Sequence, residues 1–207
     1  MTDAIKSVLD AGDLAALTGL LADAPARADE EIRWGERDNN RCCPLHYLCH
    51  LYDDGRVDAA TAVALADALI AAGADLEFPQ GSGDTPLIAA ASLWAPEIGL
   101  RLIAAGANVR ARGLFKATAL HWASMLGLPT LVPVLLEAGA ELDLKDVRYD
   151  ASPLGWAVHG RATRLFGGRG DPLACAQLLV AAGARIEPKW LASEPVKADA
   201  ALLAALV

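Results

Sequence analysis

The sequence has no apolar run of 18 residues, the length that a membrane-spanning helix needs. Its first 13 residues have an acidic residue at position 3 and no apolar core, so we expect no secretory signal. Basic residues are few, with 18 Lys and Arg against 26 Asp and Glu, a net charge of −8. An acidic chain binds nucleic acid and anionic membranes poorly. We therefore expect a cytoplasmic protein that binds neither.

Cysteine is also scarce. The four thiols lie at positions 42, 43, 49 and 175 and form no recognisable disulfide framework. Three of them crowd into one short segment, where neighbouring residues cannot easily bridge. We predict reduced thiols and expect Cys42 to be the most reactive.

The common catalytic motifs are missing too. The sequence has no H-E-x-x-H, no G-x-S-x-G and no G-x-x-x-x-G-K-[ST] segment. A glycine-rich stretch at 167–170 has no preceding strand and is a weak phosphate-binding signal. We expect no enzyme activity, no catalytic residues and no cofactor, with an unrecognised enzyme as an alternative.

Residues 85–108, by contrast, have all the signals of a helix pair. Thr85 can cap the first turn, and Pro86 follows at the first helical position, where its missing N–H costs nothing. Pro96 starts a second helix, because proline disrupts a helix interior. Gly106 then ends that helix in the left-handed conformation.

The same pattern recurs along the chain. Glycines that close a helix and precede alanine are spaced 33, 33 and 44 residues apart, at Gly73, Gly106, Gly139 and Gly183. The openings read CPLH, TPLI, TALH and SPLG and begin at Cys43, Thr85, Thr118 and Ser152. A 33-residue period with an opening close to T-P-L-H-x-A resembles the ankyrin repeat family.

The resemblance implies an all-α solenoid of stacked helix–turn–helix pairs with β-turn fingers, about six pairs including the caps. We expect one domain, 1–207, whose final helix covers 196–206. Trp94 stands where the family has a turn glycine, and we expect Pro96 to supply that turn. The predicted parts are an N-terminal cap at 1–30, full repeats at 43–75, 85–108, 118–141 and 152–185, and a C-terminal cap at 187–207.

Aromatic residues recur at one repeat position, four residues after the capping residue, at Tyr47, Trp122 and Trp156. In ankyrin repeats this position lies on the inner helices and faces the concave groove. Another row, three residues further on, includes His50, Met125 and His159. Large rings can dominate an interface or simply shield the helix stack, and both interpretations stay open. The finger residues that we expect to join them are Trp34, Arg112, Phe115 and Tyr149.

The predicted function is therefore non-catalytic binding of another protein through the concave groove and finger tips, by a monomer. The composition favours a bacterial source. From the acidic net charge we expect a partner whose apolar anchors are ringed by basic residues. Arginines of an insert at 159–171, among them Arg161, would guard one end of the groove.

A metal- or redox-sensing protein is the other alternative, based on Cys42, Cys43, His46 and Cys49. These residue types are zinc ligands, and a structural site needs four that converge. The repeat explains most of the cluster, because Cys43 takes the capping position, His46 the family's histidine and Cys49 a small buried position. We expect no native metal.

Overall fold

A computed structural model describes residues 4–35, 40–79, 83–164 and 167–207. Parts of the predicted N-terminal cap (1–3), of the first finger (36–39) and of the late insert (165–166) lie outside the described residues. The chain divides into two compact units, Met1–Ala111 and Arg112–Val207, which are described separately. The single-domain boundaries stay a prediction.

The first unit begins with a helix pair, which lies within the predicted N-terminal cap at 1–30. After the pair, a short 3-10 helix at Pro25–Asp29 leads into a two-stranded antiparallel hairpin that places Ile32 opposite Cys42. The elements in order are α1 (Ala4–Ala11), α2 (Leu14–Asp23), β1 (Ile32–Trp34), β2 (Asn40–Cys42), α3 (Pro44–Asp53), α4 (Ala59–Ala71), α5 (Pro86–Ser92) and α6 (Pro96–Ala104).

The second unit repeats the helix pairs and adds a run of short helices. A 3-10 turn at Leu114–Lys116 forms part of its first finger. The helices are α7 (Ala119–Leu126), α8 (Leu131–Glu137), α9 (Pro153–Thr163), α10 (Pro172–Ala181), α11 (Pro188–Leu191), α12 (Glu194–Ala198) and α13 (Ala200–Ala205).

Helices begin at side-chain caps and end at left-handed glycines, as the sequence predicts. The Thr85 hydroxyl accepts the Ile88 N–H at 3.4 Å, and the Ser152 hydroxyl accepts the Gly155 N–H at the same distance. Gly106 has φ +94°, which suits glycine because it has no Cβ. With thirteen α-helices and one hairpin in the described residues, the all-α solenoid class is confirmed. No helix among these residues is long and apolar enough to cross a membrane.

Two local predictions were wrong. The turn between α5 and α6 is made by Trp94, which itself adopts φ +46°, and Pro96 only starts the next helix. The single helix expected over 196–206 is broken at Asp199, whose backbone is extended. The Asp199 carboxylate instead caps α13 by accepting the Leu202 N–H at 3.0 Å. Local capping therefore replaced helix continuation.

Candidate functional site

A cavity of about 650 Å³ opens in the second unit. Residues of the two fingers that precede α7 and α9 form one side of the cavity. Helices α7 and α9 form its floor, and α11 and α12 form the opposite side. Six of the ten predicted binding residues line it: Phe115, Trp122, Met125, Tyr149, Trp156 and His159. The sequence analysis missed the residues contributed by the C-terminal helices, which are Lys189, Trp190, Ser193, Pro195 and Val196.

Four aromatic rings form a continuous edge-to-face chain along this cavity. Trp122 and Trp156 have ring centroids 5.0 Å apart, and Tyr149 lies 6.1 Å from Trp156. Phe115 continues the chain 5.8 Å from Tyr149. Edge-to-face pairs at these distances are favourable because the positive edge of one ring meets the negative face of the next. The rings therefore hold one another in place.

Trp156 is fixed by a buried carboxylate. Its indole N–H donates to Asp146 Oδ2 at 2.9 Å. The same carboxylate accepts backbone N–H groups of Arg148, Tyr149 and Ala151 at 2.7, 2.7 and 3.1 Å. Burial raises the pKa of Asp146, but the hydrogen bonds together lower it by more than burial raises it, so the pKa lies below its usual value. One ionised side chain thus joins the finger to α9.

The finger backbone beside the cavity is strained. Phe115 and Lys116 are consecutive non-glycine residues with φ +60° and +56°. L-residues rarely adopt this region, and two in succession need support from neighbouring structure. The Val147 N–H supplies some of it by donating to the Phe115 carbonyl at 2.9 Å. Strained backbone that is held by hydrogen bonds is a common feature of binding sites.

Two glycines in α9 allow close packing beside the cavity, one against Trp190 of α11 and the other against α7. A Cβ at Gly155 would lie 3.0 Å from Trp190 Cζ2, so the indole rests on bare backbone. A Cβ at Gly160 would collide with the carbonyl oxygen of Met125 in α7. The glycine of the SPLG opening, at a position where CPLH and TALH have histidine, was the one sequence signal that could have pointed to Trp190.

The predicted binding residues of the first unit form a separate cluster. Tyr47 is 2% exposed, and its hydroxyl donates to Asp10 Oδ1 at 2.7 Å. The Trp34 ring packs 5.3 Å from Tyr47 and 5.0 Å from His50. Asp10 also pairs with Arg56 at 3.0 Å. Such burial favours a structural role for Tyr47, while Trp34 and His50 are half-buried.

Arg112 does not line the cavity. Its guanidinium donates to the carbonyl oxygens of Lys116 and Lys145 at 3.0 and 3.1 Å, which braces the finger. The arginines of the insert do not line it either. They surround a distinct cavity of about 60 Å³, and Arg161 pairs with Asp199 at 2.7 Å. Their predicted role as guards of the groove finds no support in these contacts.

All four thiols are buried. Burial raises the pKa of each, to about 11 for Cys43 and about 12 for Cys175, and strongly for Cys42 and Cys49. Cys42 is 3% exposed, against 1% for Cys43 and 0% for Cys49 and Cys175, and its greater reactivity stays a prediction. The described residues contain no group of three or more His, Cys, Asp or Glu arranged to hold a metal ion.

Residues 58–146 match the family model for ankyrin repeats, in three copies. This segment of the chain therefore consists of ankyrin repeats. Ankyrin repeats are generally protein–protein interaction modules and are typically non-catalytic. The matched segment begins at the Asp58 cap of α4 and ends at Asp146. Beyond it, α9 and α10 keep the same pattern, with a capping Ser152 and a left-handed Gly183. No curated protein matches the sequence.

Proposed function

We propose that this ankyrin-repeat protein is a non-catalytic binding module whose partner protein docks into the aromatic cavity of the second unit. The gathering of six predicted binding residues around one cavity carries the proposal. They come from four separate segments of sequence, so the fold itself assembles them. We further propose that the chain acts as a cytoplasmic monomer.

The size and lining of the cavity suit the side chains of a protein partner. Small-molecule pockets of about 300–1,000 Å³ bury most of a drug-sized group, and 650 Å³ lies within that range. Tryptophan and tyrosine are the residue types that most often dominate interface energetics. Because the rings of Trp156 and Tyr149 are already braced, a partner would lose little affinity to ordering them.

The Trp122 indole adds a polar reason for binding. Its N–H is buried and has no hydrogen-bond partner among the described residues. A buried donor without an acceptor costs roughly 1–3 kcal/mol. Because this N–H is closed to solvent, a partner's acceptor would remove that cost only if the Trp122 ring turned on binding.

Trp34 and His50 are proposed as a secondary contact region in the first unit. Both rings are half-buried and belong to one cluster. Arg112 and Tyr149 are the finger residues through which the main site would extend outwards, because Arg112 is exposed and Tyr149 is 61% exposed.

The experiment combines partner capture with matched variants. A tagged chain captures its partner from the native host, the partner is identified, and its Kd is measured by calorimetry. Trp122→Ala and Trp190→Ala should each cost roughly 2 kcal/mol of binding free energy, the loss typical of interface hot spots. Glu137→Ala, an exposed change at the end of α8, should cost little.

Circular dichroism and thermal melting must first show that each variant is folded. If both folded tryptophan variants bound the identified partner at full affinity, the docking site would lie outside the second-unit cavity. Trp34→Ala would then be the next variant to measure.

A further inference from the structure

We infer that the partner segment received by this cavity presents a bulky apolar side chain with an Asp or Glu within two residues of it. The inference rests on the proposed function and specifies the chemistry of the partner. It runs against the expectation from net charge, which favours a basic rim on the partner.

The lining of the cavity contains no acidic side chain. Among the residues that line it, Lys189 carries a positive charge and none carries a carboxylate. The remaining lining is aromatic or otherwise mostly apolar, including Met125, Val158 and Val196. An apolar anchor therefore fits the interior, and an anion fits its edge.

Nearby carboxylates are already engaged by donors. Asp146 lies beneath the finger and accepts four N–H groups, as described above. Glu187 pairs with Lys189 at 2.6 Å and with Lys145 at 3.1 Å. Glu194 pairs with Lys197 at 3.1 Å. Asp150, which is exposed beside Tyr149, pairs with Lys145 at 3.1 Å. Each of these carboxylates is thus bonded to a donor within the second unit, which weakens its attraction for a basic partner at this edge.

The two fingers beside the cavity, in contrast, have exposed cationic side chains. Lys116 and Arg148 are exposed beside Phe115 and Tyr149, and Arg112 donates to uncharged carbonyl oxygens. Carboxylates accept hydrogen bonds from such groups, and charge complementarity at a rim sets specificity and association rate. The rim of the cavity thus matches an acidic residue beside the anchor.

The distribution of charge along the chain explains why net charge misleads here. Residues 1–111 contain 8 Lys and Arg against 17 Asp and Glu, whereas residues 112–207 contain 10 against 9. The acidity therefore belongs to the first unit. Exposed charges more than about 10 Å apart are largely screened at 0.1 M salt, so a docked segment responds mainly to the charges beside it.

Random 12-residue peptides displayed on phage provide the test. They are selected on the immobilised full chain and counter-selected on a folded Ala162→Trp variant, in which the new ring fills the cavity at a half-buried lining position. The expected result is enrichment of peptides with Trp, Phe or Leu next to Asp or Glu. Their binding to the Ala162→Trp variant should fall at least tenfold.

The best peptide, made synthetically, then separates charge from packing. Lys189→Gln should weaken its Kd about threefold and Lys189→Glu more, the small effect of an exposed charge pair. Lys197→Gln is the matched control, because Lys197 is also paired and exposed but does not line the cavity. Its peptide affinity should not change.

Each contrary result has a distinct meaning. Cavity-dependent peptides with Lys or Arg beside the anchor would overturn the inference and leave the proposed function standing. Absence of any cavity-dependent peptide would overturn both. Enriched sequences that copy segments of this chain would identify a second copy as the occupant and would also overturn the inference.

Discussion

The two units hold aromatic residues at the same repeat position, but the space beside these residues differs between the units. In the first, Tyr47 is buried and its hydroxyl is bonded to Asp10, so the cluster is closed by the N-terminal helices. In the second, Trp156 is equally well anchored, by Asp146, yet its ring lines a cavity of about 650 Å³. The equivalent repeat position is therefore buried in both units, at 2% exposure for Tyr47 and 4% for Trp156, but within the described residues it borders a cavity only in the second unit.

A second difference lies in how the repeat openings are capped. In the second unit, the Thr118 N–H donates to His121 Nδ1 at 3.2 Å, so cap and histidine stabilise each other. In the first unit, Thr85 caps its helix, but Cys43 makes no side-chain capping bond, and His46 Nδ1 has no hydrogen-bond partner within the described ranges. The TPLH pattern can thus keep its backbone geometry while losing its hydrogen bonds.

The largest expected effect is acid sensitivity shared by both units. Burial lowers the pKa of His46 to about 3 and that of His121 to about 4, from a usual value near 6.5. Between these values the unfolded chain binds more protons, so stability falls as pH drops below 6.5. From pH 7 to 5 the loss should be about 2 kcal/mol for each histidine.

Urea unfolding at a series of pH values measures this loss. A variant that carries both His46→Gln and His121→Gln should show a flatter pH profile. A free energy of unfolding that stays constant between pH 7 and 5 would show that neither buried histidine titrates as the structure implies.

Gly160→Ala tests the close contact that shapes the second unit. The new Cβ would collide with the Met125 carbonyl oxygen, so α7 and α9 would have to separate. Overpacking of this kind costs typically 1–3 kcal/mol, and we expect the upper end, about 3 kcal/mol, because the obstacle is backbone.

Gly19→Ala in α2 is the matched control in the first unit. A Cβ added at Gly19 would have no atom within 4 Å, so this change should stabilise the chain by about 0.5–1 kcal/mol through helix propensity alone. If the two substitutions changed the free energy of unfolding equally in denaturant, the close contact between Gly160 and the Met125 carbonyl would not be present in solution.

Gly106→Val probes backbone conformation without any packing change. The φ of Gly106 is +94° and no atom lies within 4 Å of an added Cβ, so the cost is conformational strain alone. We expect a loss of about 1–2 kcal/mol, because β-branched residues are strongly disfavoured at positive φ. An unchanged melting temperature would mean that this residue does not adopt the left-handed conformation.

Cys43→Thr asks whether the first unit can recover the cap that the second unit has. Threonine at this position can bond the helix N-terminus of α3, and a good cap contributes about 1 kcal/mol. The thermal midpoint should therefore rise, while Thr118→Ala should lower it by a similar amount. A midpoint that does not rise would indicate that the neighbouring Cys42 and His46 prevent the capping geometry.

Much of the fold could be predicted because its signals are local. Thr85, Ser152 and Gly106 act as caps wherever the chain places them, so the helix pairs followed from spacing alone. The prediction failed where two local rules competed. At Asp199, capping of α13 prevailed over an apolar helical pattern, and at Trp94 a bulky residue took a conformation that sequence rules reserve for glycine.

Only part of the candidate site could be predicted from the sequence. Repeat register identified Trp122, Trp156, Met125 and His159, because equivalent positions in stacked repeats share one face. It could not identify Trp190, which reaches the cavity only because α11 lies across the bare backbone of Gly155. Nor could it show that Trp156 borders a cavity and Tyr47 does not border it, since both rings are buried and the cavity is formed by the elements around Trp156.

By itself, the sequence determined the repeats, their caps and their period, since these depend on the backbone preferences of a few residue types. The tertiary structure decided which aromatic position borders a cavity. It also decided that the cavity lining includes Lys189 and no carboxylate, in a chain whose net charge is −8. The physical reason is that burial and screened electrostatics depend on neighbours within about 10 Å, which the order of residues does not specify.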